Sequence, residues 1–244
     1  MSNGDSLRLR VQLTKEGTAR YLSHSEFQRN LMLAARRARL PLAYSEGHHP
    51  KMKISLSPPL PIGVTSEGEL VDFALDSYVS GAEAEKRLGE VLPPGIAVVK
   101  ARLLGAGSRP VGKLIDTAVY VAFLPPAAGG EGEWKNAVEQ FLRSDTVEFE
   151  RVQPRRTRTL DLRPGVHSLD ASAGEGGGVA VRMALDDGTG GTVKPWEVLQ
   201  VLAGMAPGAG ESWREARVHR LGVYTRRGER LLSPMDAGPR RPAV

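Results

Sequence analysis

The stretch Leu7–Leu13 reads Leu-Arg-Leu-Arg-Val-Gln-Leu and decides how the first half of the chain folds. Apolar residues alternate with polar ones, which is typical of a strand with one buried face. Further on, apolar residues recur at helical spacing from Phe27 to Ala38, after serines that can cap a helix start. Pro41 then ends the segment. The sequence therefore predicts a strand followed by an amphipathic helix.

The next elements complete a recognisable order. An irregular stretch rich in Pro, Gly and Ser covers residues 42–66, with room for a short strand at Ile54 and Leu56. Residues 68–76 alternate again, residues 80–91 predict an amphipathic helix, and residues 95–104 predict a strand. The order β-α-β-β-α-β is that of a ferredoxin-like split βαβ unit.

The second half repeats this order with one addition. Its predicted elements are a strand at 115–124, a helix at 131–143, strands at 145–152 and 157–162, an extra strand or hairpin near 165–172, a strand at 178–186, a helix from Pro195, and a strand at 214–225. We therefore predict an α+β chain of two tandem ferredoxin-like (βαββαβ) halves with antiparallel sheets. The predicted domains are an N-terminal domain at 1–106 and a C-terminal domain at 113–233 with the extra strand or hairpin, followed by a disordered tail at 234–244.

Composition excludes several classes of protein. The 244 residues include no cysteine, so a disulfide framework, a thiolate zinc site, a Cys nucleophile and a Cys-ligated iron–sulfur cluster are all excluded. No run approaches about 18 consecutive apolar residues, as a membrane span requires. The first residues lack the apolar segment of a secretory signal. We expect a cytoplasmic protein that does not contact a membrane.

Charge is distributed unevenly along the chain. The formal net charge of +5 divides into +6 over residues 1–60, −4 over 61–100, −2 over 101–150 and +5 over 151–244. Basic ends around an acidic middle can mark a face that binds a polyanion. The same pattern also suits an ordinary solvated surface, so charge alone leaves both interpretations open.

The densest group of polar residues combines residues 20–25 with residues 44–69. A helix start near Ser23 offers free N–H groups for phosphate, and Tyr44 or a histidine can stack on a base. The residues predicted to bind RNA or phosphate here are Arg20, Ser23, Arg36, Arg37, Tyr44, Ser45, His48, His49, Lys51 and Lys53. Four more residues are predicted to form another polar pocket: Glu46, Ser66, Glu67 and Glu69.

Other interpretations of the same residues remain open. His24 is the candidate catalytic residue, as a general acid or base with a lysine or tyrosine partner. A metal site would need His24, His48 and His49 with Glu67 or Glu69, but adjacent histidines are poor partners on a regular element. We predict no metal and no cofactor. In a purely structural interpretation, His24 hydrogen-bonds a neighbouring loop, and the Gly and Pro residues shape a turn.

A second basic run lies in the C-terminal half. Arginines here are interleaved with two prolines and could follow a phosphate backbone, with Arg155, Arg156 and Arg158 as the predicted contacts. The same run could be an exposed edge strand that its charges protect from aggregation. Both interpretations stay open at the level of sequence.

Several segments resemble the radical SAM-linked protein family, a domain of unknown function. The resemblance is dense over residues 7–104 and rests on residues 21–24, 36–38, 40–47, Pro50, 53–55 and 59–69, with weaker likeness at 161–164 and 220–224. Family members occur beside, or fused behind, a B12-binding-type radical SAM protein. Their genes often neighbour those of an RNase E/G-type ribonuclease and of ribosomal proteins.

The sequence departs from the family pattern at three places. Ser25 and Glu26 stand where the family usually has Leu-Asp, and His48 and His49 stand where it usually has Phe-Asn. Met52 stands where a proline is common. The two adjacent histidines are therefore weaker candidates for a family-wide catalytic role than His24.

The resemblance sets the functional expectations. Because the radical SAM cluster needs three cysteines, this chain can only accompany such an enzyme. Our leading hypothesis is an accessory protein without catalysis of its own, which binds tRNA or rRNA and presents it to the partner radical SAM enzyme. One alternative is an RNA-processing or RNA-modifying enzyme that uses His24. Another is a protein-binding module for the radical SAM partner that makes no contact with RNA.

Overall fold

A computed structural model describes residues 7–105, 107–153, 156–188 and 191–236. The fold is mixed α+β, and the described residues form four α-helices and twelve strands in mostly antiparallel sheets. The chain divides into two compact units: unit 1 comprises residues 1–115 and 222–244, and unit 2 comprises residues 116–221. No helix of the described residues combines the length and the apolar character that crossing a bilayer demands.

Unit 1 follows the order β-α-β-β-α-β. Its elements are β1 (Leu7–Lys15), α1 (His24–Arg37), β2 (Ile54–Leu56), β3 (Thr65–Leu75), α2 (Gly81–Gly89) and β4 (Val98–Leu104). The strands lie in the order β2-β3-β1-β4, and each neighbouring pair is antiparallel. Along the β1–β3 pair, Leu7 lies opposite Leu75 at one end and Lys15 lies opposite Ser66 at the other.

The apolar face of this sheet carries the core of unit 1. Leu9, Val11 and Leu13 of β1 are all buried, as the alternation predicts, and they belong to one cluster with Phe27 and Leu31 of α1. Each such side chain contributes about 1.5–3 kcal/mol when fully buried. Burial of this face therefore fixes both the register of β1 and the side on which α1 packs.

The opposite face of the same sheet is also covered, which the alternation does not predict. Arg10 is 1% exposed and Asp72 is 0% exposed. The chain after β4 crosses this face, where the backbone N–H of Val111 donates to Asp72 Oδ2 at 2.7 Å and that of Gly112 donates to Ser55 Oγ at 3.2 Å. We call this surface the linker face. At Arg10, a strand that the sequence predicts to be buried on one side is therefore buried on both.

Unit 2 contains a further set of paired strands and a separate two-stranded hairpin. The next elements along the chain are β5 (Thr117–Leu124), α3 (Glu131–Arg143), β6 (Glu148–Gln153), β7 (Arg156–Asp161), β8 (Val166–Ala173), β9 (Val179–Gly188), β10 (Gly191–Thr192), α4 (Pro195–Met205), β11 (Arg217–Arg227) and β12 (Arg230–Leu232). The main strands lie in the order β8-β9-β5-β11, and the short β10 pairs antiparallel with the end of β9. Strands β6 and β7 pair only with each other among the described residues.

The core of unit 2 forms around α3 and α4. Trp134 of α3 is fully buried, and its indole N–H donates to the carbonyl of Ala128 at 2.7 Å. Leu199 and Leu202 of α4 are also fully buried. A buried ion pair joins two strands of this unit, with Arg220 Nη1 3.2 Å from Asp187 Oδ2.

The last strands return the chain to unit 1. Strand β11 begins in unit 2 and ends in unit 1, where β12 pairs with it, Leu232 lying opposite Thr225. Residues 234–236 then form a turn in which Met235 is 3% exposed. The sequence predicts disorder from Pro234 onward. Three residues of that segment are thus ordered, and the rest of it, 237–244, lies outside the described residues.

Candidate nucleic-acid interface

The start of α1 is closed by a capping box. Ser23 is the N-cap, its hydroxyl accepts from the Glu26 backbone N–H at 3.3 Å, and the Glu26 carboxylate accepts from the Ser23 backbone N–H at 2.8 Å. The hydrogen bond from the Ser23 hydroxyl, followed by the one from its backbone, lowers the pKa of Glu26. A carboxylate of the chain itself therefore occupies the helix end at which the sequence predicts a phosphate.

Arg20 lies in the short 3₁₀ turn before this helix. Its guanidinium stacks over the ring of Tyr21 at 4.7 Å from the centroid and donates to the Tyr21 hydroxyl at 2.6 Å. Its carbonyl accepts from the backbone N–H of Gly63 at 2.9 Å. Tyr21 is 57% exposed and Arg20 is half-buried. Arg20 is thus committed to a local contact with Tyr21.

Of the four residues of the predicted polar pocket, the structure buries two, Ser66 and Glu69. Ser66 is 0% exposed and its hydroxyl accepts from the backbone N–H of Gly68, while Glu69 is 3% exposed. Glu67 of the same strand is exposed. Lys15, which sequence reasoning missed, is 2% exposed opposite Ser66, and its Nζ donates to the carbonyl of Leu22 at 2.8 Å. We call this region, with Arg20, Ser23 and the half-buried His24, the cap end of unit 1.

Residues 43–53 form a short hairpin. Tyr44 pairs with Met52, the backbone N–H of Ser45 donates to the carbonyl of Lys51 at 2.8 Å, and that of Lys51 donates to Ser45 Oγ at 2.9 Å. Residues 46–50 form its tip and are all exposed, which displays Glu46, His48 and His49 to solvent. The long irregular stretch of the sequence is therefore partly ordered, as a support for an exposed polar tip.

The base of this hairpin lies at the end of the sheet opposite to the cap end. Ala43 donates to the carbonyl of Ala74, and Ala74 donates to the carbonyl of Lys53. Leu42 forms a bridge with Leu75, so the chain returns to this end of β3 within five residues of the end of α1. Arg36 and Arg37, in the last turn of α1, are exposed here.

The sequence-predicted group is therefore split in two. The 14 residues of α1, about 20 Å at 1.5 Å per residue, separate Ser23 from Arg37. Arg20, Ser23, His24, Ser66, Glu67 and Glu69 lie at the cap end, and Arg36, Arg37, Tyr44, Ser45, Glu46, His48, His49, Lys51 and Lys53 lie at the other. We call the second group the hairpin end. Tyr44 and Lys53 cannot assist His24 across this separation.

The hairpin end includes two residues that sequence reasoning missed. Tyr78 follows β3 at the same end and is 73% exposed, the highest value among the exposed tyrosines. Arg39 is exposed and adopts a positive φ of 51° just after α1. An aromatic residue in a polar loop between Asp76 and Ser80 was the available signal for Tyr78.

The second basic run lies on the β6–β7 hairpin of unit 2. Arg151 makes two hydrogen bonds of 2.6 Å to the carboxylate of Glu197, which attach the hairpin to α4. Arg158 lies directly opposite Arg151 and is exposed. Arg156 is in β7, but its side chain and all of Arg155 lie outside the described residues. Of the predicted contacts here, Arg158 is the one whose side chain lies within the described part of the chain, and it is exposed.

Among the described residues, no group of three or more His, Asp or Glu side chains is arranged to hold a metal ion. His48 and His49 lie at the hairpin end and His24 lies at the cap end. The histidine set that a metal would need is therefore distributed over both ends of unit 1.

A comparison with protein-family models decides the family. The model described as an uncharacterized protein conserved in bacteria, DUF2344, matches residues 8–195, well over half of the 244-residue chain. The chain belongs to the DUF2344 family. Every residue that the sequence predicts for the site lies inside the matched range, so both the cap end and the hairpin end of this DUF2344 chain are parts of the family domain.

Other comparisons are distant. No curated protein matches the sequence. One chain of the crystal structure of a Cbf5–Nop10–Gar1 complex is similar, with 14% identity and a TM-score of 0.46 over 93% of this DUF2344 chain and 53% of that chain. A chain of the archaeal box H/ACA sRNP Nop10–Cbf5 complex gives 14% identity and a TM-score of 0.39 over 87% and 46%. This chain thus spans about half the length of either, and at these scores the likeness carries no functional argument.

Proposed function

We propose that this DUF2344 chain is an RNA-binding accessory protein that holds tRNA or rRNA for a partner radical SAM enzyme in the cytoplasm. The partner and the compartment come from the family resemblance and the composition of the sequence. The RNA comes from the hairpin end of unit 1. The chain itself supplies binding and presentation, and the partner supplies the chemistry.

The observation that supports this proposal is that the hairpin end exposes both cationic and aromatic side chains. Arg36, Arg37 and Lys51 are exposed there and can each neutralise a phosphate, which releases counterions and drives binding at low salt. Tyr44 is 38% exposed on the same hairpin whose tip carries the exposed pair His48 and His49.

Cations and flat rings together suit single-stranded RNA. Unpaired bases stack on aromatic or imidazole rings, while the backbone follows the positive charges. Glu46 is the one acidic side chain of the exposed tip, residues 46–50. The hairpin end therefore favours a loop or an unpaired end of a structured RNA over a continuous duplex.

We also propose that both units are divergent copies of a ferredoxin-like arrangement. The order β2-β3-β1-β4 in unit 1 and β8-β9-β5-β11 in unit 2 support this, because the second, third, first and fourth strands of a βαββαβ unit follow one another in both. The β6–β7 hairpin is then an insertion between α3 and β8, and it carries Arg158 as a second phosphate contact.

Binding of labelled total tRNA and of oligo(U) to the full chain tests the RNA proposal. We expect binding at low salt that weakens steeply as salt rises, and a loss of affinity for oligo(U) in Tyr44→Ala that Tyr44→Phe does not show. The RNA proposal would be overturned by an absence of binding at low salt, or by binding whose affinity does not fall as the salt concentration rises. Co-purification with the radical SAM protein that survives nuclease while RNA binding is absent would favour the protein-binding module instead.

A further inference from the structure

The linker face of unit 1 gathers positive charge from two neighbouring strands. Arg8 and Arg10 alternate along β1 and so share a face. Arg10 lies directly opposite Arg102 of β4 and directly opposite Asp72 of β3. Three guanidinium groups and one carboxylate therefore belong to the same small area of the sheet.

The positive charge of this area exceeds its negative charge. Arg10 binds Asp72 through two hydrogen bonds of 2.7 and 2.8 Å, and Arg8 Nη1 lies 3.8 Å from Asp72 Oδ2, so two arginines share one carboxylate. Arg102 makes no ion pair among the described residues. Like charges directly opposite each other on paired strands are unfavourable, and cations removed from water require counter-charges or strong acceptors.

Neutral carbonyl oxygens of the C-terminal turn act as hydrogen-bond acceptors for these arginines in place of the missing negative charge. Arg10 Nη1 donates to the carbonyl of Pro234 at 2.7 Å, and Arg102 Nη1 donates to the carbonyl of Met235 at 2.9 Å. The Met235 side chain is 3% exposed, and the backbone N–H of Asp236 donates to the carbonyl of Ser233. We call residues 233–236 the strap. Two consecutive carbonyls thus occupy positions on adjacent arginines where anionic oxygens would bind more strongly.

We propose that the strap covers a phosphate site made by Arg8, Arg10 and Arg102, and that a phosphate group of bound RNA displaces it. The inference rests on the proposed RNA binding for the source of the phosphate. One phosphate has enough oxygens to accept from both Arg10 and Arg102, and its charge balances the excess that Asp72 leaves. The strap then holds the site closed in the free protein. The apparent affinity for phosphate is therefore the intrinsic affinity multiplied by the fraction of molecules in which the site is open.

Loosening the strap in the full chain tests the proposal. Met235→Ser removes the buried anchor without changing charge, and Leu232→Ser, at a position that is 43% exposed just before the strap, is the matched control. We expect Met235→Ser to bind RNA several-fold more tightly, with a salt dependence steeper by about 0.7 in log–log slope for one added contact to a single strand. Leu232→Ser should behave like the natural chain.

Two further measurements separate the possible outcomes. Arg102→Gln added to Met235→Ser should cancel the gain. In the natural chain, hydrogen exchange of the Asp236 amide should accelerate when RNA binds. The proposal that the strap covers a phosphate site would be overturned by two results together. Met235→Ser and Leu232→Ser would show equal RNA affinity and equal salt slope, and hydrogen exchange of the Asp236 amide would not change when RNA binds.

Inorganic phosphate distinguishes this failure from that of the proposed function. If no form of the chain binds RNA, the RNA proposal fails, but phosphate should still raise the Tm of Met235→Ser more than that of Leu232→Ser. No difference in that shift would overturn the phosphate site itself. If Met235→Ser does not fold, the exchange rate of Asp236 in the natural chain, with and without RNA or phosphate, decides the question.

Discussion

Arg10 and Asp72 form a buried bidentate ion pair across the central strands of unit 1. Arg10 Nε and Nη2 lie 2.7 and 2.8 Å from the two carboxylate oxygens, and the residues are 1% and 0% exposed. The same carboxylate accepts from the backbone N–H of Val111, and Arg10 also donates to the carbonyls of Arg109 and Pro234. The pair therefore holds the segments around Val111 and Pro234 against the linker face through hydrogen bonds.

Replacing one partner of this pair should strongly destabilise the protein. Asp72→Asn leaves the Arg10 guanidinium buried without its counter-charge, which costs about 3–5 kcal/mol. Urea unfolding at neutral pH measures the change. As a control, Glu139→Gln removes the ion pair with Arg143, whose side chains are 60% and 79% exposed, and should change the free energy of unfolding by less than about 1 kcal/mol. Equal effects of the two substitutions would show that the buried pair has no special role.

The capping box at α1 gives the stability a dependence on pH. The hydrogen bonds from Ser23 lower the pKa of Glu26 in the folded protein below its unfolded value. Ionised Glu26 therefore stabilises the fold above the unfolded pKa, and this contribution is lost as pH falls through the folded pKa. Glu26→Gln keeps a capping residue but removes the charge.

We expect the natural chain to exceed Glu26→Gln in the free energy of unfolding at pH 7, with the difference shrinking as the pH falls below about 4.3. Denaturant unfolding across this range measures it. In a Ser23→Ala background the same comparison should lose part of its pH dependence, since the hydroxyl, the largest cause of the shift, is gone while the backbone N–H remains. A difference that stays constant down to low pH would contradict this account of the cap.

Gly95 should tolerate no side chain. Its φ is +84°, and a Cβ placed there would lie 2.5 Å from the carbonyl oxygen of Glu16. Gly95→Ala therefore adds a backbone clash to the roughly 1–2 kcal/mol that a left-handed conformation costs an L-residue. Gly63 has a similar φ of +88° with nothing within 4 Å of such a Cβ, so Gly63→Ala is the matched control. Thermal or urea unfolding should rank Gly95→Ala clearly below Gly63→Ala, and equal stabilities would refute the clash.

Local signals in the sequence predict most elements but not what covers them. The alternation of Leu9 and Val11 predicts β1, and the serines before Phe27 predict the start of α1. Burial of Arg10 comes from residues 109–112 and 234–235, which are close in space but distant in sequence. Periodicity reports only the alternation of a strand, so it cannot reveal that the polar face is covered too.

The candidate site shows the same limit. Residues 20–25 and 44–69 look like one group because they are rich in the same chemistry and near each other in sequence. The helix between them places His24 at one end of unit 1 and Tyr44 at the other. Tyr78 joins the hairpin end only because β3 ends there, which requires the strand pairing to be known. Residue chemistry was predictable, whereas its grouping depends on topology.

His24 separates the accessory hypothesis from the enzyme alternative. We expect His24→Ala to bind RNA as the natural chain does, because the cap end lies apart from the hairpin end and Ser23 still caps α1. Incubation of both proteins with tRNA and rRNA, followed by gel and nucleoside analysis, should show no change in the RNA with either. Cleavage or modification by the natural chain that His24→Ala abolishes would establish the enzyme alternative.

The central claim is that the hairpin end binds RNA, and the salt dependence of oligo(U) binding tests it most directly. The triple variant Arg36→Gln, Arg37→Gln, Lys51→Gln removes three exposed charges from the hairpin end, and Lys135→Gln, Arg143→Gln, Arg182→Gln removes three exposed charges from unit 2. We predict that the first variant binds much more weakly, with a log–log salt slope shallower by about 0.7 for each lost contact, while the second behaves like the natural chain. Equal slopes and affinities in the two variants would contradict the claim, because net charge alone would then account for any binding.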